Sequence, residues 1–188
     1  GDDAVSIKSG KNPEGNKIGR PSAHIYVFDC RSTAGHGICL GSEMSGGIED
    51  VQIWDCDLTN SWSGSEIKAT PKRGGYVRGV SVRDCTASRL LVHAVPYNDD
   101  GEAAPRQPVL RHLSFERLTL TGRGLRDGSF ENVEPIELAG FDAPGHELRD
   151  VVLDGITVEN ETGTMTLPVQ FCRGRTIRDL TCTARKLP

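Results

Sequence analysis

The sequence contains few aromatic residues and no excess of positive charge. Aromatic residues make up 5% of the 188 residues, and 22 Lys and Arg against 26 Asp and Glu give a formal net charge of −4. Interfaces with nucleic acids depend on contacts between basic side chains and phosphates, and single strands also stack on aromatic rings. The composition therefore argues against a nucleic-acid partner.

Long apolar runs and metal-binding cysteine motifs are also missing. No segment approaches the roughly 18 consecutive apolar residues of a membrane-spanning helix, so we expect no membrane partner. The N-terminal segment lacks the features of a signal peptide, but a mature chain lacks them too, so a secreted or periplasmic location stays open beside the cytoplasm. The six cysteines show no CxxC or Cys/His spacing, and we expect neither a structural metal nor a cofactor.

A repeated pattern of apolar positions is present. Around Cys56 and again around Cys85 the spacing is Φ-x-x-Φ-x-Φ-x-x-Φ-x-Φ, where Φ is apolar and x is any residue. Four complete copies begin at residues 48, 77, 110 and 148, and partial copies cover residues 25–30 and 177–182. The Φ-x-Φ period of two indicates short strands, and the x-x steps indicate bends between them. Segments rich in Gly, Asn and Asp separate the copies, as turns require.

This repeat predicts an all-β fold, a right-handed parallel β-helix, in which each coil stacks its apolar side chains on those of the next coil. One inward ladder is expected to contain Val51, Val80, Leu113 and Val151. We expect a single domain over residues 1–188. We also expect it to be partial, truncated at the N-terminus and at the C-terminus, because neither end carries the polar cap that solenoids use.

Three cysteines, Cys30, Cys56 and Cys85, occupy one equivalent position of the repeat. Free cysteine behaves as a small apolar residue in protein cores. We therefore expect three buried, unreactive thiols in preference to disulfides.

Two polar motifs precede strand patterns and suggest a site. Asp2 and Asp3 stand side by side before the pattern at residues 5–7, and His36 stands between two glycines before the pattern at residues 38–40. When the two strand starts are superposed, Asp3 lies level with His36 one coil away. The flanking glycines would leave room for a ligand to approach the imidazole. Taken alone, the Asp2-Asp3 pair is more typical of an ordinary acidic turn, and the His36 motif is equally compatible with a turn and with a site.

Residues 68–83 contain no acidic residue although the chain is acidic. The cations in this segment are Lys68, Lys72, Arg73, Arg78 and Arg83. Such a segregated patch suits an anionic ligand, and a solvated row of turn residues is the alternative. Tyr97 follows in a turn-forming segment, where its ring would either contact a sugar or pack on a loop.

Taken in order, these motifs resemble those of the polygalacturonase-type glycoside hydrolases, family 28, particularly the bacterial members. The matching segments are GDDAVSIKSG at residues 1–10, GHGICLGSE at residues 35–43, and IK at residues 67–68 followed by RGGYVR at residues 73–78. The resemblance extends to about residue 122. It implies a right-handed parallel β-helix that hydrolyses α-1,4 linkages of galacturonan with inversion of the anomeric centre.

The resemblance also implies roles for individual residues. Asp2 corresponds to the general acid that protonates the glycosidic oxygen, and Asp3 to one of two carboxylates that activate water. His36 corresponds to the histidine that tunes this cluster, Lys68 to the lysine that binds a galacturonate carboxylate, and Tyr97 to a tyrosine that lines the sugar subsites. The implied partner is a galacturonate-containing polysaccharide or oligosaccharide.

Two features depart from the family pattern. The Asn-Thr-Asp motif that supplies the other water-activating aspartate is absent from these residues, so we expect the chain alone to be catalytically incomplete. Glu66 stands where the family commonly has arginine, and Arg73 or Arg78 are candidate replacements. Residues two apart in a strand share a face, so Glu66 and Lys68 should both point toward the groove. There Glu66 would repel a substrate carboxylate unless it contacts a hydroxyl or a basic neighbour.

Two alternatives to a polygalacturonase therefore remain from the sequence. The first is a hydrolase of the same family that acts on rhamnogalacturonan or on another galacturonate-containing glycan. The second is a noncatalytic β-helix that binds glycans.

Overall fold

The computed structural model describes residues 2–94 and 101–186. Within these residues there is one short helix, α1 (Glu14–Ile18), and the remaining regular structure is β-strand. The strands are β1 (Val5–Ile7), β2 (Ser22–Phe28), β3 (Ile38–Gly41), β4 (Ile48–Trp54), β5 (Asp57–Leu58), β6 (Ser65–Ala69), β7 (Tyr76–Arg83), β8 (Thr86–Ala87), β9 (Leu90–Ala94), β10 (Val109–Glu116), β11 (Thr119–Leu120), β12 (Arg123–Arg126), β13 (Ser129–Asn132), β14 (Ile136–Ala139), β15 (Leu148–Asn160), β16 (Val169–Gln170) and β17 (Cys172–Ala184).

The described strands stack in parallel sheets that run along a solenoid. One sheet has the order β1-β3-β6-β9-β14-β16, and the second contains β2-β4-β7-β10-β15, with β17 beside β15. Neighbouring strands in each sheet belong to successive coils, so every coil contributes one strand to each sheet. The predicted all-β fold, a parallel β-helix, is confirmed. In the described ranges no helix is long and apolar enough to cross a bilayer.

The apolar repeat forms the interior of this solenoid. Val51 pairs with Val80 in the neighbouring strand. Leu113 pairs with Val80 on one side and with Val151 on the other. Each of these side chains is at most 2% exposed. The predicted inward ladder is therefore confirmed, and equivalent positions stack because that arrangement buries the apolar face of every coil.

The two-residue steps of the repeat are bends with a left-handed backbone. In the described coils, the residues at the first step have φ between 50° and 64°: His24, Asp50, Gly79, His112, Asp150 and Gly174. The strand register places these residues at equivalent positions. Glycine adopts this conformation without steric cost, and aspartate and histidine adopt it more readily than most other residues. The prediction of a strand, a bend and a further strand in each copy is confirmed.

An antiparallel hairpin leaves the solenoid after β11. Its strands β12 and β13 pair with each other, with Leu125 opposite Phe130. The hairpin packs on Trp62, since a Cβ atom placed on Gly124 would lie 2.7 Å from Trp62 Cε3. The guanidinium carbon of Arg126 lies 4.3 Å from the centroid of the same ring. The repeat gives no sign of this hairpin, and the sequence did not predict it.

The three aligned cysteines do not share one environment. Cys56 and Cys85 are each 3% exposed, as predicted. Cys30 is exposed, so its predicted burial is wrong. Cys30 follows β2, and among the described strands β2 pairs only with β4, so no second coil covers its other side. All six cysteines are free thiols, in agreement with the expectation against disulfides.

Candidate active site

The first three coils bring Asp3, His36 and Lys68 together. The register of β1 on β3 is the one that the superposed strand starts predicted, and it sets Asp3 level with His36. The next strand in the sheet, β6, carries Lys68. His36 Nδ1 lies 3.9 Å from Asp3 Oδ1, and Lys68 Nζ lies 3.6 Å from the same oxygen. The three residues therefore form one charged cluster across three coils.

The glycines beside His36 allow the coils to approach closely. Both have positive φ, and a Cβ atom on Gly35 would lie 2.2 Å from the Asp2 carbonyl oxygen. A Cβ atom on Gly37 would lie 2.1 Å from the carbonyl oxygen of Gly64. The backbone N–H of His36 also donates to the Asp2 carbonyl, at 3.2 Å. The glycines therefore allow His36 to lie against the aspartates. The sequence had suggested a different role for them, which was to leave room for a ligand beside the imidazole.

The adjacent aspartates lie in different environments. Asp2 is exposed, and its carboxylate accepts a hydrogen bond from the backbone N–H of Asp3 at 2.8 Å. The Asp3 side chain is only 3% exposed and accepts a hydrogen bond from Ser6 Oγ at 2.8 Å. Two carboxylates in unlike surroundings are suited to unlike roles in acid–base chemistry.

Glu66 lies at the centre of the cluster. Its side chain is 8% exposed, and Oε1 lies 2.8 Å from His93 Nε2. Its Oε2 lies 3.8 Å from His36 Nδ1 and 3.9 Å from Lys68 Nζ. Glu66 and Lys68 share a face, as predicted, but the basic neighbours that offset the Glu66 charge are Lys68 and His93. The sequence missed His93, because only the register of β6 on β9 sets it opposite Lys68.

The pKa values in the cluster reflect burial opposed by charge. Burial raises the pKa of Asp3, but hydrogen bonds to its carboxylate and the charge on Lys68 outweigh burial and lower it below its ordinary value. Burial also raises the pKa of Glu66. The hydrogen bond with His93 and the charge on Lys68 outweigh burial and lower this pKa to about 2. Burial lowers the pKa of Lys68, and the neighbouring anions raise it above its ordinary value. At neutral pH the cluster therefore contains two carboxylates and an ammonium group.

The cations of residues 68–83 do not form one patch. Arg73 is 1% exposed and donates from Nη1 to Asn12 Oδ1 at 2.8 Å, on the side of α1. Arg78 lies on β7 and donates from Nε to Glu49 Oε2 at 2.8 Å. The interpretation of this segment as a single basic patch is wrong, because the turn after Lys68 sends the following cations to other faces. Arg73 and Arg78 therefore do not replace the family arginine beside Lys68.

A pocket of about 410 Å³ opens beside His36. It is lined by residues 33–36, by Trp62 and by the tip of the β12–β13 hairpin at residues 125–128. An aromatic ring with a guanidinium group stacked on it offers both an apolar face and a positive charge. The sequence missed Arg126, because the hairpin carries no recognisable motif. Tyr97 lies outside the described residues.

Known proteins share both the sequence and the fold of this region. The model of Glycosyl hydrolases family 28 matches residues 1–91, which include the whole charged cluster up to Lys68. A protein named "Probable polygalacturonase" from Vitis vinifera is 44% identical over 92 residues, which cover 48% of this chain and 19% of that protein. The exo-poly-alpha-D-galacturonosidase of Dickeya chrysanthemi is 27% identical over 145 residues, which cover 74% of this chain and 24% of that protein.

Solved structures extend the agreement along nearly the whole chain. A hyperthermoactive exopolygalacturonase from Thermotoga maritima has a TM-score of 0.74 at 25% identity, over 96% of this chain and 39% of that chain. A family 28 exopolygalacturonase from Yersinia enterocolitica shares the fold, with a TM-score of 0.61 at 17% identity over 100% of this chain and 36% of that chain. The chain thus spans about a fifth to a quarter of the curated relatives described above. The matched motifs and the matched coils together confirm the resemblance of this chain to glycosyl hydrolases family 28.

Proposed function

We propose that the protein is a pectin-degrading glycoside hydrolase that cleaves α-1,4-galacturonosyl linkages with inversion. The observation that carries this proposal is the stack of Asp2 and Asp3, His36 and Lys68 on three successive coils of one sheet. The names of the relatives, polygalacturonase and exo-poly-alpha-D-galacturonosidase, support galacturonan as the substrate. No cofactor is needed for this chemistry, because carboxylates supply the acid and the base.

Asp2 is the general acid in this proposal, and Asp3 activates water. Asp2 is exposed at the edge of the cluster, where a glycosidic oxygen has access to it. Asp3 is held as a carboxylate by Lys68, so it accepts a proton from an attacking water molecule. An inverting enzyme needs room for this water between the carboxylate and the anomeric carbon. The family resemblance implies a second water-activating aspartate in an Asn-Thr-Asp motif, which these 188 residues lack.

Lys68 binds the galacturonate carboxylate. Its side chain is 14% exposed, so part of it faces the surface while Nζ stays 3.6 Å from Asp3 Oδ1. A charged hydrogen-bond donor beside the acid–base pair fixes the sugar relative to the reacting atoms. Trp62 and Arg126 extend the sugar-binding surface along the pocket beside His36, where an acidic sugar finds both a stacking face and a cation. Tyr97 keeps the subsite role that the resemblance implies.

The proposal is tested by the release of reducing ends from polygalacturonate. The assay uses the chain joined at its N-terminus to a family 28 coil that carries an Asn-Thr-Asp motif, with the chain of residues 1–188 as its comparison. We expect hydrolysis by the extended chain only, and proton NMR should show the β-anomer as the first product. Cleavage of rhamnogalacturonan alone would identify a different substrate within the family. Binding of galacturonate oligomers without cleavage of any galacturonate glycan would identify a noncatalytic β-helix.

A further inference from the structure

Three different ligand atoms meet within the charged cluster. Asp3 Oδ1, His36 Nδ1 and Cys39 Sγ all lie within 4.8 Å of one another. A carboxylate oxygen, an imidazole nitrogen and a thiolate sulfur are the donors that zinc and related divalent cations prefer in proteins. His36 and Cys39 stand three residues apart, but Asp3 belongs to the preceding coil, so the sequence alone does not show that the three residues meet.

Two of these atoms have unused bonding capacity. Asp3 Oδ1 and His36 Nδ1 are both buried, and neither has a hydrogen-bond partner among the described residues. The Asp3 side chain as a whole is only 3% exposed. Buried polar atoms are nearly always hydrogen-bonded, because an unpaired one costs free energy. The cluster therefore contains a buried carboxylate oxygen and a buried imidazole nitrogen that lie 3.9 Å apart and lack hydrogen bonds, with the Lys68 ammonium group 3.6 Å from the oxygen.

A tetrahedral centre requires the ligand atoms to move closer together. Bonds of about 2.0–2.3 Å around zinc place the ligand atoms about 3.3–3.8 Å apart. The observed separation of Asp3 Oδ1 and His36 Nδ1 is 3.9 Å. Glu66 Oε2 lies 3.8 Å from His36 Nδ1 and 3.5 Å from Cys39 Sγ, so its carboxylate borders the site without completing it.

We propose that Asp3, His36 and Cys39 bind a thiophilic divalent cation of the zinc class, with a water molecule as the fourth ligand. The Cys39 thiol releases its proton to solvent as the sulfur–metal bond forms. The Lys68 ammonium group opposes the incoming cation and has to move away from Asp3. A bound cation occupies the carboxylate proposed to activate water, so it inhibits hydrolysis. That consequence rests on the proposed function, whereas metal binding itself does not.

Spectroscopic titration with Co²⁺ and Cd²⁺ tests the site on the chain of residues 1–188, kept reduced with a non-thiol reductant. We expect one equivalent of metal to produce a thiolate-to-metal charge-transfer band, with the visible spectrum of tetrahedral Co²⁺. Cys39→Ser should abolish the band, and Asp3→Asn should weaken binding at least about tenfold while the thiol is retained. Lys68→Ala should strengthen binding, because it removes the opposing charge.

The matched control is Cys30→Ser, which removes an exposed thiol from outside the cluster. It should leave the band and the affinity unchanged, and circular dichroism should show native secondary structure in every variant. A band that survives Cys39→Ser but disappears in Cys30→Ser would place the metal on the aligned cysteines and overturn the proposal. The absence of any band in the folded wild-type chain, or undiminished binding by Asp3→Asn, would also overturn it. Failure of the polygalacturonate assay would leave these results unaffected.

Discussion

Replacing Glu66 with glutamine removes the charge at the centre of the cluster and nearly preserves the shape of the side chain. The pKa of Glu66 is lowered from 4.5 to about 2 in the folded protein. One pKa unit corresponds to about 1.36 kcal/mol, so the ionised carboxylate contributes about 3 kcal/mol to the free energy of unfolding. The folded pKa is the lower of the two. The contribution is therefore complete above the ordinary pKa and is lost as the pH falls toward about 2.

Urea unfolding followed by circular dichroism measures this effect. At neutral pH we expect Glu66→Gln to be about 2–3 kcal/mol less stable than the wild type, and at about pH 3 we expect somewhat more than half of the difference to be gone. Glu131→Gln is the matched control, because Glu131 lies on the exposed strand β13 and should change stability little at either pH. An equal loss for Glu66→Gln at both pH values would mean that shape, and not charge, accounts for the role of Glu66.

Three further outcomes follow from the ladder and the cluster. Lys68→Ala should weaken calorimetrically measured binding of galacturonate oligomers by about 1–3 kcal/mol and affect methyl-esterified oligomers much less; equal losses would make Lys68 a structural residue. Without denaturant, a thiol reagent should label Cys30 rapidly and Cys85 slowly, and equal rates would contradict inward stacking. Leu113→Ala should lower the free energy of unfolding by about 2–5 kcal/mol, because Leu113 is buried in the ladder. The control Ile18→Ala changes an exposed residue and should alter this free energy little, and an equally small effect of Leu113→Ala would contradict the ladder.

The sequence was sufficient to predict the interior and the alignment of the cluster. Val51 and Val80 occupy the same position in two copies of one pattern, and only stacking of like positions buries the apolar face of every coil. That requirement fixes the register between coils. The same reasoning set Asp3 level with His36, which depends on backbone register and not on side-chain conformation.

Other features depend on contacts that a repeat does not encode. The exposure of Cys30 depends on which coils cover it, and its position in the pattern is the same as that of Cys56. His93 carries no motif and acquires its partner Glu66 through the register of a third and a fourth coil. The β12–β13 hairpin interrupts the repeat, so its packing on Trp62 depends on tertiary contacts alone.

Turnover of the Asp2→Asn variant, measured in the upstream-extended chain on polygalacturonate, tests most directly whether the stacked coils form a hydrolytic site. Asparagine keeps the shape of the side chain but cannot act as the proton donor. We expect turnover to fall by at least about a hundredfold while oligomer binding is largely retained. The control is Asp29→Asn, which changes an exposed aspartate at a bend and should leave turnover unchanged. Near-normal turnover by Asp2→Asn would remove Asp2 from the mechanism and contradict the proposed acid–base pair.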